Sequence, residues 1–141
     1  MSALDLAVSP SRDLSDLILG RLKTDATVTA LVGGRVYDGP PADATFPYIS
    51  FGPSDFADLS GDLKEIREET FQVDVWSRDQ GKLWPVRTIS DVVRRSLHLY
   101  AGTLTTHALV EMRAELRTAF LDRDGLTGHG IVIVSALIEE N

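Results

Sequence analysis

The sequence predicts an α+β domain: a largely antiparallel sheet of four or five strands with two main helices packed on one face. Three observations lead there. Apolar residues recur at helical spacing in two segments and at alternate positions in several others. These segments follow the order helix, short strands, long strand, helix, terminal hairpin, with no repeating βαβ unit and no internal repeat. A length of 141 residues suits one domain with a core that is stable without metal or disulfide staples.

Residues 1–8 read as a flexible arm and residues 9–141 as the single domain. Ser9-Pro10-Ser11 marks a helix start, because serine caps free amide donors and proline is tolerated in a first turn. Leu14, Leu17, Ile18 and Leu22 then form the apolar stripe of an amphipathic helix reaching about Lys23. A short helical piece is expected over residues 25–32, capped by Asp25 and stopped by Gly33-Gly34. Arg35-Val36-Tyr37 and residues 46–51 read as short strands. Pro47 cannot donate to a ladder, so the second of these starts after it or lies on an edge. Residues 52–62 are expected to be a long loop carrying Asp55, Asp58 and Asp62.

Residues 70–76 alternate cleanly, with Phe71, Val73 and Val75 on one face and Gln72, Asp74 and Trp76 on the other. Val86, Ile89, Val93 and Leu97 place the second main helix within residues 80–99, with Pro85 in its first turn or bending it. Two strands close the chain. In residues 109–121, Val110, Met112, Ala114, Leu116 and Phe120 alternate with Glu111, Arg113, Glu115 and Arg117; the last strand covers residues 131–138. Asp122-Arg123-Asp124-Gly125 supplies the turn between them.

A formal net charge of −7 argues against affinity for nucleic acid through phosphate neutralisation. With no cysteine, disulfide scaffolds, thiolate zinc sites and cysteine nucleophiles are excluded. The apolar stretches fall well short of the ~20 residues of a membrane span, and residues 1–8 lack the pattern of an export signal, so cytoplasmic synthesis is expected.

No motif supplies a reaction. His98, His107 and His129 lack metal-ligand spacing and read as ordinary polar residues. Asp122-Arg123-Asp124-Gly125 resembles the start of a calcium loop but lacks its closing glutamate, since that position is Ile133. Gly33-Gly34-Arg35 ends a helix where a phosphate cradle would open one. No nucleophile elbow occurs. Glu68-Glu69 and Glu139-Glu140 read as solvated charge rather than paired catalytic carboxylates, because neighbours on a strand face opposite ways. Arg87, Arg94 and Arg95 give the second helix a basic patch that reads as a solvated outer face, with an acidic partner as the alternative. The residues imply an interaction or structural protein with no catalytic, cofactor or metal site; a small enzyme or ligand-binding domain is the distant alternative.

Residues 30–41, then 46–52, then Val73-Asp74-Val75-Trp76-Ser77-Arg78, and finally the turn at residues 122–125 with Thr127-Gly128-His129-Gly130 together resemble the tail-completion, or tail-terminator, proteins of long-tailed phages. They are most similar to the versions encoded in gene transfer agents of alphaproteobacteria. The resemblance covers nearly the whole chain and rests on the order and spacing of these segments. It departs at Trp84-Pro85, where plain helix formers are expected.

That resemblance implies a virion subunit that assembles as a hexameric ring on the finished tail tube, stops its growth and joins it to the head connector or stopper, with DNA passing through unbound. Another neck component of the same particle is the alternative. A ring contact is heterologous and needs two different patches. The candidates are the mixed-charge face Glu111, Arg113, Glu115 and Arg117 as subunit interface, and Asp55, Phe56, Asp58 and Asp62 as a loop facing the lumen or a neighbouring ring.

Overall fold

The computed structural model describes residues 9–141, so the expected arm over residues 1–8 lies outside the described residues. Helix α1 (Pro10–Thr24) is opened by the Ser9 side chain, which accepts from the Arg12 amide, and by Pro10 in the first turn. Leu14, Ile18 and Leu22 are fully buried. The backbone amide of Asp25 closes α1 on Arg21, while its carboxylate accepts from the amides of Thr27 and Val28 to open α2 (Ala26–Val32). Gly33 ends α2 at a φ of 61°, in the left-handed region that favours glycine.

Strand β1 (Val36–Tyr37) runs parallel to β2 (Tyr48–Asp58), with Val36 opposite Ile49. Pro47 ends the connection just before β2 begins, so its missing donor costs the ladder nothing. The expected loop over residues 52–62 is instead mostly strand: β2 pairs antiparallel with β3 (Glu65–Arg78) from Tyr48 opposite Trp76 to Asp58 opposite Arg67. A register shift between Phe51 and Ser54 absorbs Gly52-Pro53. Gly52 is required there by close approach, since a Cβ would lie 2.7 Å from Asp74 Oδ2. The acidic side chains concealed this strand in the sequence. Beyond the bulge it is held by backbone pairing with β3, with no apolar alternation to announce it.

Helix α3 (Trp84–Leu97) starts with Pro85 in its first turn and buries Val86, Ile89, Val93 and Leu97. It lies close on the last strand because Gly128 and Gly130 present bare backbone to it: a Cβ at Gly130 would collide with Ser90 Oγ. Strands β4 (Ala108–Leu121) and β5 (Thr127–Glu140) form the closing hairpin. The expected alternation of β4 holds only in its middle, where Met112 and Ala114 are buried. Register shifts between Leu109 and Glu111 and between Leu116 and Thr118 change its phase at both ends. Each bulge turns the following residues over, so Val110 and Phe120 are exposed while Leu109 and Ala119 pack on the core.

The sheet order is β1-β2-β3-β5-β4, with the three helices of the described residues on one face. The core is the layer between them, built from Val73, Val75, Val132, Val134, Ala136 and Ile138 of the two central strands and the apolar stripes of the helices.

At the β4–β5 turn, Asp124 Oδ2 accepts from the Thr127 hydroxyl at 2.6 Å and Oδ1 from the amides of Leu126 and Thr127. The Thr127 hydroxyl first, then those two amides and Arg78, lower its carboxyl from 3.8 to about 2. A depressed folded-state value means that this stabilisation is complete above 3.8 and is lost as pH falls through about 2. Asp124→Ala therefore lowers the melting temperature at neutral pH, and the gap from the wild type closes as the pH approaches about 2; thermal unfolding followed by circular dichroism checks both limits.

Candidate functional site

Because the helices cover only one face, the other face of the sheet stands open among the described residues. Register sets Tyr48 of β2, Trp76 of β3, His129 of β5 and Phe120 of β4 side by side across it. Trp76 stacks on His129 with ring centroids 3.8 Å apart, Tyr48 lies 6.2 Å beyond Trp76, and Phe120 sits 5.1 Å from His129. Phe46 continues the row beside Tyr48, with the Arg78 guanidinium over its ring.

Polar partners lock this row in place. Trp76 Nε1 donates to Ser50 Oγ at 2.9 Å, His129 Nε2 to Asp74 Oδ1 at 2.7 Å, and Gln72 Nε2 to the same carboxylate oxygen at 2.9 Å. Burial pushes the Tyr48 hydroxyl above its ordinary value, against the opposing pull of Arg78. Such a row offers a rigid surface with an apolar body and fixed polar atoms, the composition that protein interfaces favour. The sequence placed Trp76 outward with Gln72 and Asp74 but gave no sign of the line. Its members lie on four strands, and only the pairing register aligns them.

Glu111, Arg113, Glu115 and Arg117 all lie exposed on β4, an edge strand. They pair along the strand, Glu111 with Arg113 at 3.1 Å and Glu115 with Arg117 at 3.6 Å. Arg113, Glu115 and Arg117 line one wall of an open cleft of about 340 Å³, with Ile133 and Ser135 of β5 on the other. Exposed pairs of this kind contribute about 0–1 kcal/mol, so they can be exchanged at little cost.

Asp55, Phe56, Asp58 and Asp62 belong to the β2–β3 hairpin and do not form one cluster. Asp55 stands opposite Thr70 on the open face, Phe56 opposite Glu69 on the helix side, and Asp62 in the turn. Asp58 Oδ1 accepts from the Ser60 amide, and the Ser60 hydroxyl foremost holds its carboxyl below the ordinary value. The Phe56 ring is 56% exposed beneath the Arg67 guanidinium.

Glu69 departs from the solvated charge expected of it: it is 1% exposed. Its carboxylate accepts from Ser11 of α1 at 2.7 Å and pairs with Arg67 at 3.3 Å, and Arg67 also reaches Glu140. The first turn of α1 lands on this strand and excludes water, a long-range contact with no local signal in the sequence. The three histidines take structural roles: His98 Nδ1 accepts from the Ala114 amide and His107 Nδ1 from the Asn141 amide, while His129 joins the aromatic row. Among the described residues no three acidic or histidine side chains are placed to hold a metal ion, and no helix is long and apolar enough to cross a membrane.

The family profile of tail completion protein gp17 matches residues 16–139, which take in all five strands, α2, α3 and most of α1. The chain belongs to the tail completion protein gp17 family. Two solved structures place the family fold in context. A chain from the virion of a native gene transfer agent particle aligns with a TM-score of 0.86 at 22% identity, over 94% of this chain and 99% of that one. The gp17 protein of bacteriophage SPP1 aligns with a TM-score of 0.58 at 22% identity, over 96% and 95% of the two chains. A search of curated proteins returns no match. As a tail completion protein, the chain is a structural component of a phage-like particle.

Two measurements probe these surfaces. Arg67→Met strands the buried Glu69 charge and lowers the unfolding free energy by about 3 kcal/mol in urea titration, whereas Arg67→Met/Glu69→Leu recovers most of the loss. Trp76→Ala costs about 3 kcal/mol because it leaves a gap in the packed row, while Trp84→Ala, at a side chain 62% exposed, changes stability by less than about 0.5 kcal/mol.

Proposed function

We propose that this tail completion protein is the tail terminator of a phage-like particle of the gene transfer agent kind. In this reading it forms a ring of six on the end of the tail tube, stops tube polymerisation and joins the tail to the head connector or stopper protein. The family match over residues 16–139 carries the reading, and the likeness of fold to a chain of a gene transfer agent virion supports its particle type. Synthesis takes place in the bacterial cytoplasm and assembly at the head–tail junction.

The surfaces suit such a subunit. The in-strand pairs of Glu111, Arg113, Glu115 and Arg117 border the open aromatic face, so a neighbour can cover that face while exchanging ion pairs of little individual worth. Asp55, Asp58 and Asp62, with Phe56, face the lumen or an adjoining ring. A chain of net charge −7 presents DNA with weak, non-adhesive walls, which lets a duplex move, because phosphate contacts would hold it.

Native mass spectrometry with negative-stain microscopy of the concentrated protein is expected to give a ring of six, and deletion of the gene to give tails of uncontrolled length that fail to join heads. Tails of normal length that still fail to join heads would make the protein a connector instead. A strict monomer combined with normal, joined tails after deletion would overturn the reading altogether.

A further inference from the structure

The β2–β3 hairpin extends to a turn over residues 59–64. Leu63 there is 96% exposed, and Leu59 and Phe56 are also exposed. Around them stand Asp55, Asp58, Asp62, Glu65 and Glu68, none of which forms an ion pair among the described residues. The two cations of this end are already engaged, Lys64 with Glu139 and Arg67 with Glu69 and Glu140. The hairpin end is thus an apolar knob with a surplus of negative charge.

Helix α3 carries the opposite surface. Trp84, Arg87, Thr88, Asp91, Arg94 and Arg95 are all exposed and recur at spacings of three and four, so they form one stripe along its outer side. Arg94 Nε donates to the Ala114 carbonyl, but none of the three arginines forms an ion pair among the described residues. Asp91 is the one acidic side chain of the stripe, which leaves it net basic, with an exposed indole at its start.

Within one copy no ion pair joins these two surfaces among the described residues. The first turns of α3 lie against Gly128 and Gly130, at the end of the sheet where Arg78 stands opposite Thr127. The hairpin leaves from the other end, where Glu65 stands opposite Glu140. Fourteen residue pairs separate the two ends, about 45 Å at the rise of a strand. Trp84 and Arg87 thus stand at the far end of the sheet from the hairpin, and Arg94 reaches mid-sheet at Ala114, opposite Val134; charges of opposite sign left unpaired in one copy can be matched by a second copy. The resulting contact is heterologous, the kind that closes into a ring.

We infer that the β2–β3 hairpin end of one copy seats on the α3 stripe of the next, with Leu59 and Leu63 against Trp84 and the hairpin carboxylates against Arg87, Arg94 and Arg95. The partner is a second copy of this chain; the inference rests on the ring reading, adds this contact beside the β4 face, and puts the hairpin carboxylates in it in place of the lumen or an adjoining ring.

The absence of cysteine makes the test specific. Full-length Leu63→Cys and Arg95→Cys variants are mixed and treated with a short bismaleimide, alongside native mass measurement of the unmodified chain. The expected result is a mixed Leu63→Cys/Arg95→Cys dimer well in excess of either like pair, and a ladder ending at the ring when one chain carries both changes. Arg87→Glu/Arg95→Glu is expected to raise the concentration needed for assembly about tenfold, and Asp62→Lys/Glu65→Lys in the partner to restore it. A ring that forms without the mixed adduct overturns this contact and leaves the ring reading standing. Neither ring nor adduct overturns both. An adduct without a closed ring keeps the contact and overturns the ring.

Discussion

Fourteen consecutive residue pairs join β3 to β5 without a shift of register, and every other part of the molecule is placed by that ladder. It has one apolar face, on which α1 and α3 close the core, and one mixed face, on which Gln72, Asp74 and Trp76 meet His129, Ile131 and Ile133. β2 is hung on one side of it and β4 on the other, and both outer strands carry the irregularities that the central pair lacks. This division of labour is physically sensible. A slip of one residue in a central strand would exchange its core and solvent faces, whereas a bulge in an outer strand reorients only the residues beyond it.

The parts of the fold that were legible in the sequence are those encoded by a local pattern. Ser9 and Pro10 start α1, Asp25 starts α2, Gly33 stops it, and Asp124-Gly125 turns the last hairpin, each through hydrogen bonds within a few residues. What escaped depends on neighbours distant in the chain. The outer half of β2 is a strand because β3 pairs with it, Glu69 is buried because the first turn of α1 lies over it, and the phase of β4 changes where β5 forces a bulge. The mixed charges of β4 were legible as an exposed row, while the aromatic line across Tyr48, Trp76, His129 and Phe120 was not, since it exists only in the assembled register.

Charge is distributed by purpose more than by sign. On β4 it is neutralised within the strand; at the base of the β2–β3 hairpin it is buried and paired; at the hairpin end and along α3 it is left in excess. Neutral charge rows next to an aromatic face favour close packing with tolerance of small displacements, and unneutralised rows favour orientation at longer range. This member of the tail completion protein gp17 family carries surfaces of both kinds.

Asp25 has an effect beyond shaping the α1–α2 corner. Its amide finishes one helix and its carboxylate begins the next, and both neighbouring surfaces are buried at Leu22 and Val28. Neither helix can therefore fray from this corner without taking the other with it, so the pair opens as one cooperative unit rather than two short ones. The α1–α2 pair then yields all at once or not at all, and intermediate, half-loosened shapes of this corner are sparsely populated.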